Sequence, residues 1–236
     1  MTSARKSTRW LWRLALVSLV IISGAVGGRW LLHRSFFSVQ HVRITGAVHE
    51  SRATVLRITG LAEHPAMIDV NDGTIARRLE RLSWVSRAHV LRQWPSTVLI
   101  TIHERVPVAV ARQQGQLFLV DRFGVRVAPI ASSSTYPLLV ATDRATVWPF
   151  HTWAQPAAIV ASQLPKAFRN QVAQVVVDPA GDVSMEMTTP ITFLLGPDTD
   201  LHQKFVAVAS VIAHVTLRAG DVVDVTVPDA PTVSGP

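Results

Sequence analysis

The chain contains nine histidines, and the first question is whether any of them could hold a metal ion. Two histidines at helical spacing, with a glutamate directly after the first, would bind zinc and supply a general base. His103 and Glu104 begin this pattern, but the residues Arg105–Pro107 that follow break it. The sequence therefore predicts no metal site.

Nucleophilic catalysis has no clear local signature either. The chain contains no Gly-x-Ser-x-Gly motif and no phosphate-binding glycine loop. The serines at 132–134 are expected in a loop, and the carboxylates of Asp198 and Asp200 precede a predicted helix, where they are expected to act as caps. The sequence predicts no catalytic residue, no cofactor and no small-molecule substrate.

Basic residues are concentrated at the start of the chain, which carries a net charge of +7. Residues 1–34 contain six basic and no acidic side chains, whereas the rest contains 17 basic and 16 acidic ones. Nucleic-acid binding needs a concentrated basic surface, so no nucleic-acid partner is predicted. Residues 35–105 have a small basic excess, which fits either an ordinary solvated surface or a weak site for anionic lipid.

An uncharged run, Leu14–Gly28, predicts a single transmembrane helix over residues 11–32. Basic side chains can extend to the membrane surface and tryptophans favour the interface. The residues expected there are Arg13, Arg29, Trp10, Trp12 and Trp30. The excess of basic residues before the run predicts that tail 1–10 is cytoplasmic and that the later domains lie outside the plasma membrane. A cleaved signal peptide is the alternative, because small residues near Gly28 could be cut.

Residues 36–105 are predicted to form a first α+β domain. Alternating and helical apolar patterns indicate the order β-α-α-β-β, with both helices on one face of a small sheet. The predicted elements are a strand at 39–45, a helix capped by Ser51, a helix capped by Asn71 or Asp72, and a hairpin of strands at 85–91 and 98–102 that turns at Trp94 and Pro95.

Residues 106–228 are predicted to form a second, mixed α+β domain with an antiparallel sheet. The predicted elements are strands at 117–120, 172–177, 183–187, 191–195 and 221–227, and helices at 152–164 and 200–217. Residues 229–236 are predicted to be a flexible tail, too short and polar to add a strand. The chain has no cysteine, so these domains must be stabilised by their cores alone.

Several segments resemble a known family. They are Val42-x-Ile44-x-Gly46, Arg92-x-Trp94-Pro95-x-Thr97-Val98, Glu104-Arg105-x-Pro107-x-Ala109, Asp121-Arg122-Phe123-Gly124 and Tyr136-Pro137-Leu138. The first three resemble the POTRA domain of the bacterial FtsQ/DivIB cell-division family, and the last two resemble its second domain, called the β domain. The chain departs from the usual pattern at Ala47, His49 and Ser83.

The resemblance implies a scaffold of the division septum that is not an enzyme and that recruits or links other membrane division proteins. It implies partners of the FtsB/DivIC and FtsL coiled-coil types. An exposed strand can accept a partner segment by backbone pairing, and the last predicted strand is the best candidate. The predicted partner-binding residues are Lys204, Val222, Val223, Asp224, Val225, Thr226 and Val227.

Two other functions remain open from the sequence. A POTRA domain also fits an export or envelope-assembly component, which would need a membrane barrel or a separate partner chain. A membrane-tethered wall enzyme is a further alternative. The edge of the first domain could also pair with a partner, or could be blocked by arginine and histidine side chains.

Overall fold

The computed structural model describes residues 15–24, 27–28, 35–132, 136–142 and 150–235. Residues 15–24 are helical with exposed side chains. Within the ranges just given, we find no helix with the length and apolar character that a membrane crossing demands. The predicted span 11–32 falls partly outside these ranges. The tail 1–10 and all the predicted flanking residues lie outside them, namely Trp10, Trp12, Arg13, Arg29 and Trp30.

The chain folds into two compact units, which divide between Glu104 and Arg105. The first unit follows the expected order of strand, helix, helix, strand, strand. Its elements are β1 (His41–Thr45), α1 (Arg52–Thr59), α2 (Asp72–Leu79), β2 (Val85–Gln93) and β3 (Thr97–Glu104), with short 3-10 turns at Ser35–Phe37 and Leu61–Glu63.

Both helices of the first unit begin where the sequence predicts. The Ser51 hydroxyl accepts a hydrogen bond of 3.0 Å from the amide of Thr54 at the start of α1. The Asn71 side chain accepts one of 2.8 Å from the amide of Thr74, so Asn71 is the cap of α2. Such side chains satisfy amides that have no partner within the helix, which is why their positions mark helix starts well.

The first unit is a three-stranded sheet covered by helices on one face. The strand order is β1-β3-β2, with β1 parallel and β2 antiparallel to β3. Val55 and Leu79 from the helices pack with Val98 and Ile100 from β3 in one buried cluster. The residues that alternate with these on the strands are mostly exposed, so the second face of the sheet has no helix over it.

The second unit contains nine strands and three helices in the part of the chain that the structure describes. The elements are β4 (Pro107–Gln113), β5 (Gln116–Asp121), β6 (Arg126–Ile130), β7 (Leu138–Ala141), α3 (Phe150–Gln163), α4 (Lys166–Arg169), β8 (Val172–Val177), β9 (Val183–Met187), β10 (Thr192–Gly196), α5 (Leu201–His214), β11 (Val222–Asp224) and β12 (Thr232–Ser234).

The sheet of the second unit is mixed, so the prediction of an antiparallel sheet is wrong. Its order is β12-β11-β10-β9-β8-β7-β4-β5-β6. The pairs β4–β7, β7–β8 and β10–β11 are parallel. A hairpin turn can join only antiparallel neighbours, and parallel ones need a longer crossover. The helix α5 provides that crossover between β10 and β11. The sequence pattern predicts this helix, but it does not show whether the strands on either side of it run parallel or antiparallel.

The end of the chain also differs from its prediction. The strand predicted over 221–227 is shorter, because β11 ends at Asp224. The Asp224 carboxylate then accepts hydrogen bonds from the amide and the hydroxyl of Thr226, which turns the backbone. Part of the predicted flexible tail 229–236 forms β12, which pairs antiparallel with β11. A polar composition did not prevent pairing, since an edge strand needs backbone groups and no apolar face.

A second turn, after β5, is held by the buried carboxylate of Asp121. One of its oxygens accepts the amides of Phe123 and Val125, each at 2.9 Å. The other accepts from the guanidinium of Arg105 at 2.6 Å. Gly124 follows with a φ of +73°, the left-handed region that glycine adopts without strain. The Asp-x-x-Gly segment is therefore a turn, as the sequence indicates.

Candidate functional site

The open edge formed by β12 is the feature of the second unit best suited to binding another chain. Within the described sheet, β12 has β11 as its one neighbour. Residues 231–235 are all exposed. An edge strand presents backbone N–H and C=O groups to any extended segment that approaches it, so this edge can accept a further strand.

The pairing of β11 with β10 uses the backbone groups on one side of β11. The amide of Thr192 donates to the carbonyl of Asp221 at 3.1 Å, and the amide of Val225 donates to the carbonyl of Leu194 at 3.0 Å. Hydrogen-bonding groups alternate in direction along a strand. Asp221, Val223 and Val225 therefore face β10, and the Val225 amide is not available to a partner.

The same alternation identifies the free backbone groups of β12. Val222 and Asp224 face β12, and their register partners are Ser234 and Thr232. These two residues direct their backbone groups toward β11, and the Ser234 hydroxyl adds a bond of 3.2 Å to the Val222 carbonyl. Val233 lies between them, so its N–H and C=O point to the open side. Val233 is thus the central backbone contact of the edge.

Lys204 lies in the interior of the unit, although the sequence places it in the partner-binding set. Its side chain is only 3% exposed, and its ammonium donates a hydrogen bond of 2.7 Å to the carbonyl of Pro197. It is surrounded along α5 by the buried side chains of Leu201, Phe205 and Val208. Through its hydrogen bond to Pro197, Lys204 connects the start of α5 to the loop that precedes it.

The other predicted partner-binding residues are distributed between the interior and the surface. Val223 and Val225 are fully buried. Val222 and Asp224 are half-buried, while Thr226 and Val227 are exposed in the turn that follows β11. Hydrogen bonds from the hydroxyl and then the amide of Thr226 lower the pKa of Asp224, so this carboxylate is held ionised in the turn.

A groove of about 540 Å³ runs between the outer side of α5 and the turn before β12. Its lining is mixed, with an exposed valine, a histidine, an aspartate and two prolines. The residues are His202, Gln203, Val206, Ala207, Ser210, Pro228, Asp229 and Pro231. The groove adjoins the strand edge, because Pro231 directly precedes β12. Apolar and hydrogen-bonding groups in such a groove suit a side-chain contact from a bound segment.

The two edges of the first sheet are partly occupied by the chain's own side chains. The guanidinium of Arg52 donates to the carbonyl of Val42 on β1 at 2.8 Å. The carboxylate of Glu80 accepts from the amide of Ala88 on β2 at 3.2 Å. Each edge has therefore lost part of its free backbone, so β12 is more open than either edge of the first sheet.

Among the described residues, no three histidine or carboxylate side chains lie close enough together to hold a metal ion. His89 and His103 meet edge to face on neighbouring strands, with 5.7 Å between ring centroids. His49 stacks on Trp84, and its ring Nδ1 donates a hydrogen bond of 2.6 Å to the Glu104 carboxylate. These arrangements are contacts within the first unit.

The two units match two family models in the same order as they occur in the fold. Residues 37–105 match the FtsQ-type POTRA domain. Residues 109–226, half of the chain, match the C-terminal domain of the cell-division protein FtsQ/DivIB. The chain belongs to the FtsQ/DivIB family. The resemblance seen in the sequence is thus confirmed, and so are a POTRA domain and a C-terminal domain of a family of cell-division proteins.

Relatives named cell division protein FtsQ occur in distant bacteria. The chain is 33% identical over 142 residues to that of Zymomonas mobilis, a match that covers 54% of this chain and 45% of the relative. It is 26% identical over 229 residues to that of Mycolicibacterium smegmatis, covering 97% and 67%. The Streptomyces collinus protein is 27% identical over 239 residues, covering 97% and 90%. The chain thus spans less than half of the first of these relatives.

Sequence reasoning missed β12 and the groove beside it. The residues Thr232 and Val233 are good strand formers, and Pro228 and Pro231 mark a turn before them. This signal was available, but three residues are too few to separate a strand from a tail by periodicity.

Proposed function

We propose that this protein is a non-catalytic scaffold of the division septum that captures a partner segment on the open edge of β12. The observation that carries the proposal is the outward direction of the Val233 backbone, next to a groove large enough for side chains. An incoming strand would satisfy the unpaired N–H and C=O of Val233, and a side chain of that strand would enter the groove. Membership in a cell-division family supports the choice of partner class.

The partners we propose are membrane division proteins of the FtsB/DivIC and FtsL coiled-coil types. The predicted apolar span 11–32 would anchor this chain in the plasma membrane, with the tail 1–10 in the cytoplasm and both units on the outside. A partner with a single membrane helix and a short outer segment could then reach β12 from the same membrane surface. The role of the two units is to hold this edge open at the septum.

The predicted docking strand is revised accordingly. The set Val222–Val227 forms the support of the site: β11 holds β12 through its backbone, and Val223 and Val225 fix β11 in the core. We propose that Lys204 acts indirectly, since its bond to Pro197 fixes the start of α5, the helix that forms one wall of the groove. Replacement of Val225 by proline would break the pairing with Leu194 and is not a clean test of binding.

A clean test replaces Val233 by proline. Proline removes the outward N–H but leaves the bonds of Thr232 and Ser234 to β11 in place. The partner carbonyl then loses its donor, a loss of about 1–3 kcal/mol, so binding should weaken by about fivefold or more. Val233→Ala keeps the N–H and is the matched control, for which we expect less than about a threefold change.

The measurement is binding of the purified full chain in detergent micelles to a fluorescent peptide that carries the outer segment of an FtsB/DivIC-type protein. Fluorescence anisotropy gives the dissociation constant for each variant, and thermal unfolding shows whether both variants remain folded. Equal affinity of Val233→Pro and the unchanged protein would refute pairing at this edge. An equal loss of affinity in Val233→Pro and Val233→Ala would assign the contact to the valine side chain, and this result would also contradict the proposal.

A further inference from the structure

The uncovered face of the first sheet carries basic side chains and no carboxylate on its outward positions. The register of the three strands places these residues in rows across the face. They are His41, Thr97 and Gln93 in the first row, Arg43, Leu99 and Leu91 in the second, Thr45, Thr101 and His89 in the third, and His103 and Arg87 in the fourth. Two arginines and three histidines therefore share one face.

Two acidic groups of the strands and helices of the first unit are directed elsewhere. Glu104, the carboxylate closest in sequence to the face, accepts the amides of Val48 and His49 at 2.7 and 2.8 Å, and its other oxygen contacts the His49 ring. Glu80 is bound to the amide of Ala88 on the edge of β2, as described above. The helix face mixes both signs of charge, whereas the sheet face has only positive groups.

The middle row gives this surface an amphipathic character. Leu91 is 58% exposed, and it lies beside Leu99 and in line with Arg43. The neighbouring outward residues Thr45 and Thr101 are short. A surface with exposed apolar area in its middle row and basic groups around it has the composition that binds at a charged lipid interface.

We propose that the uncovered face of the first sheet, defined by the rows above, binds the anionic headgroups of the membrane surface. This inference rests on the proposed membrane anchoring. Ten residues separate the exposed apolar helix at 15–24 from Ser35, and a chain of this length spans at most about 35 Å. An anchored first unit is therefore held within reach of the headgroups. A soluble acidic protein would receive no such help from the tether.

The experiment uses the full chain, which contains no cysteine and therefore accepts single labels without background. Thr101→Cys places an environment-sensitive fluorophore in the centre of the face. Ala53→Cys places the same fluorophore on the exposed side of α1 as the matched control. Both are reconstituted in phosphatidylcholine vesicles with or without 30% phosphatidylglycerol, each containing a quencher attached to the lipid headgroup. The quencher reports contact with the membrane surface.

We expect the label at position 101 to be quenched at least threefold more than the label at position 53, in the anionic vesicles only. Salt at 0.5 M should remove the difference, because it screens surface charges. The double substitution Arg43→Gln and Arg87→Gln should reduce it about tenfold or more, since each basic group near an anionic surface changes partition about fivefold. The control pair Arg57→Gln and Arg81→Gln, on the helix side, should leave it unchanged.

Three results would overturn the inference: equal quenching in neutral vesicles, no effect of the Arg43 and Arg87 substitutions, or a larger change in the emission of the environment-sensitive label with soluble polyglutamate than with anionic vesicles that lack the quencher. The last result would indicate an acidic protein. Failure of anchoring is seen separately, as loss of co-sedimentation with neutral vesicles. In that case the anionic vesicles still test the face, because charge attraction does not require the anchor.

Discussion

The buried pair formed by Arg105 and Asp121 allows a quantitative test of how the second unit is held together. The Asp121 carboxylate is 3% exposed and binds three donors, two of them amides of its own turn. The Arg105 guanidinium meets it through one nitrogen, and its Nε has no partner among the described residues. Arg105 therefore depends on Asp121 more than Asp121 depends on Arg105, because Asp121 keeps two other donors.

Replacement of Asp121 by alanine leaves the guanidinium and two amides without an acceptor. Removing one partner of a buried pair costs about 3–5 kcal/mol, and we expect this range for Asp121→Ala. Arg105→Met keeps the packing of the side chain and leaves Asp121 with its two amides. We expect it to cost about 1–3 kcal/mol, the price of one charged hydrogen bond. The double variant should cost no more than Asp121→Ala alone, because the arginine no longer needs a partner.

Hydrogen exchange followed by mass spectrometry measures these effects where they occur. Peptides from β5 and β6 should lose some protection in Arg105→Met and more in Asp121→Ala. Peptides from β2 and β3 in the first unit are the internal control and should keep their protection. Additive losses in the double variant, or a loss below about 1 kcal/mol for Asp121→Ala, would refute the coupling that we derive from the geometry.

Three further changes test other parts of the fold. Gly124→Ala should destabilise the second unit by about 2 kcal/mol or more in urea unfolding, because its Cβ would lie 2.8 Å from the amide nitrogen of Gln155 at a φ of +73°. Ser51→Ala should lower stability by about 1 kcal/mol in the same assay, through loss of the α1 cap. Burial raises the pKa of Glu104, but hydrogen bonds from the His49 ring and amide and from a neighbouring amide outweigh it and lower that pKa. The stability that Glu104 contributes is therefore fully present above its ordinary pKa of 4.5, and it is lost as the pH falls through the lower pKa of the folded state. In acid unfolding, Glu104→Gln should remove this part of the dependence of stability on pH.

The sequence predicts the first unit well because its signals are local. Ser51 and Asn71 mark helix starts through bonds that span three residues, and Gly46 ends β1 where a Cβ would lie 2.0 Å from the Ile102 carbonyl oxygen. Each of these constraints acts within a short segment or on one residue type. Periodicity and turn chemistry are sufficient to detect them.

In the second unit, short segments of sequence predict where several strands lie but not how the strands are arranged. The strands at 172–177 and 183–187 are found at the predicted residues. Whether neighbouring strands run parallel depends on where α3 and α5 cross the sheet, which is a property of the whole chain. Lys204 is a partner-binding residue in the prediction that follows the family resemblance, and lysine rarely lies in a core. Its burial depends on one carbonyl, that of Pro197, which the fold brings within 2.7 Å of the ammonium.

The two surfaces that we assign to binding differ in a way that follows from their chemistry. At β12 the free groups are backbone N–H and C=O, whose pairing is directional and little affected by salt, so this edge can select one segment and hold it in register. On the sheet face of the first unit the free groups are charges on flexible side chains, whose attraction is weak, additive and screened by salt. Specific capture therefore belongs to the edge, and orientation relative to the membrane belongs to the face. High salt should release the face while the edge retains its partner, which separates the two surfaces in a single reconstituted sample.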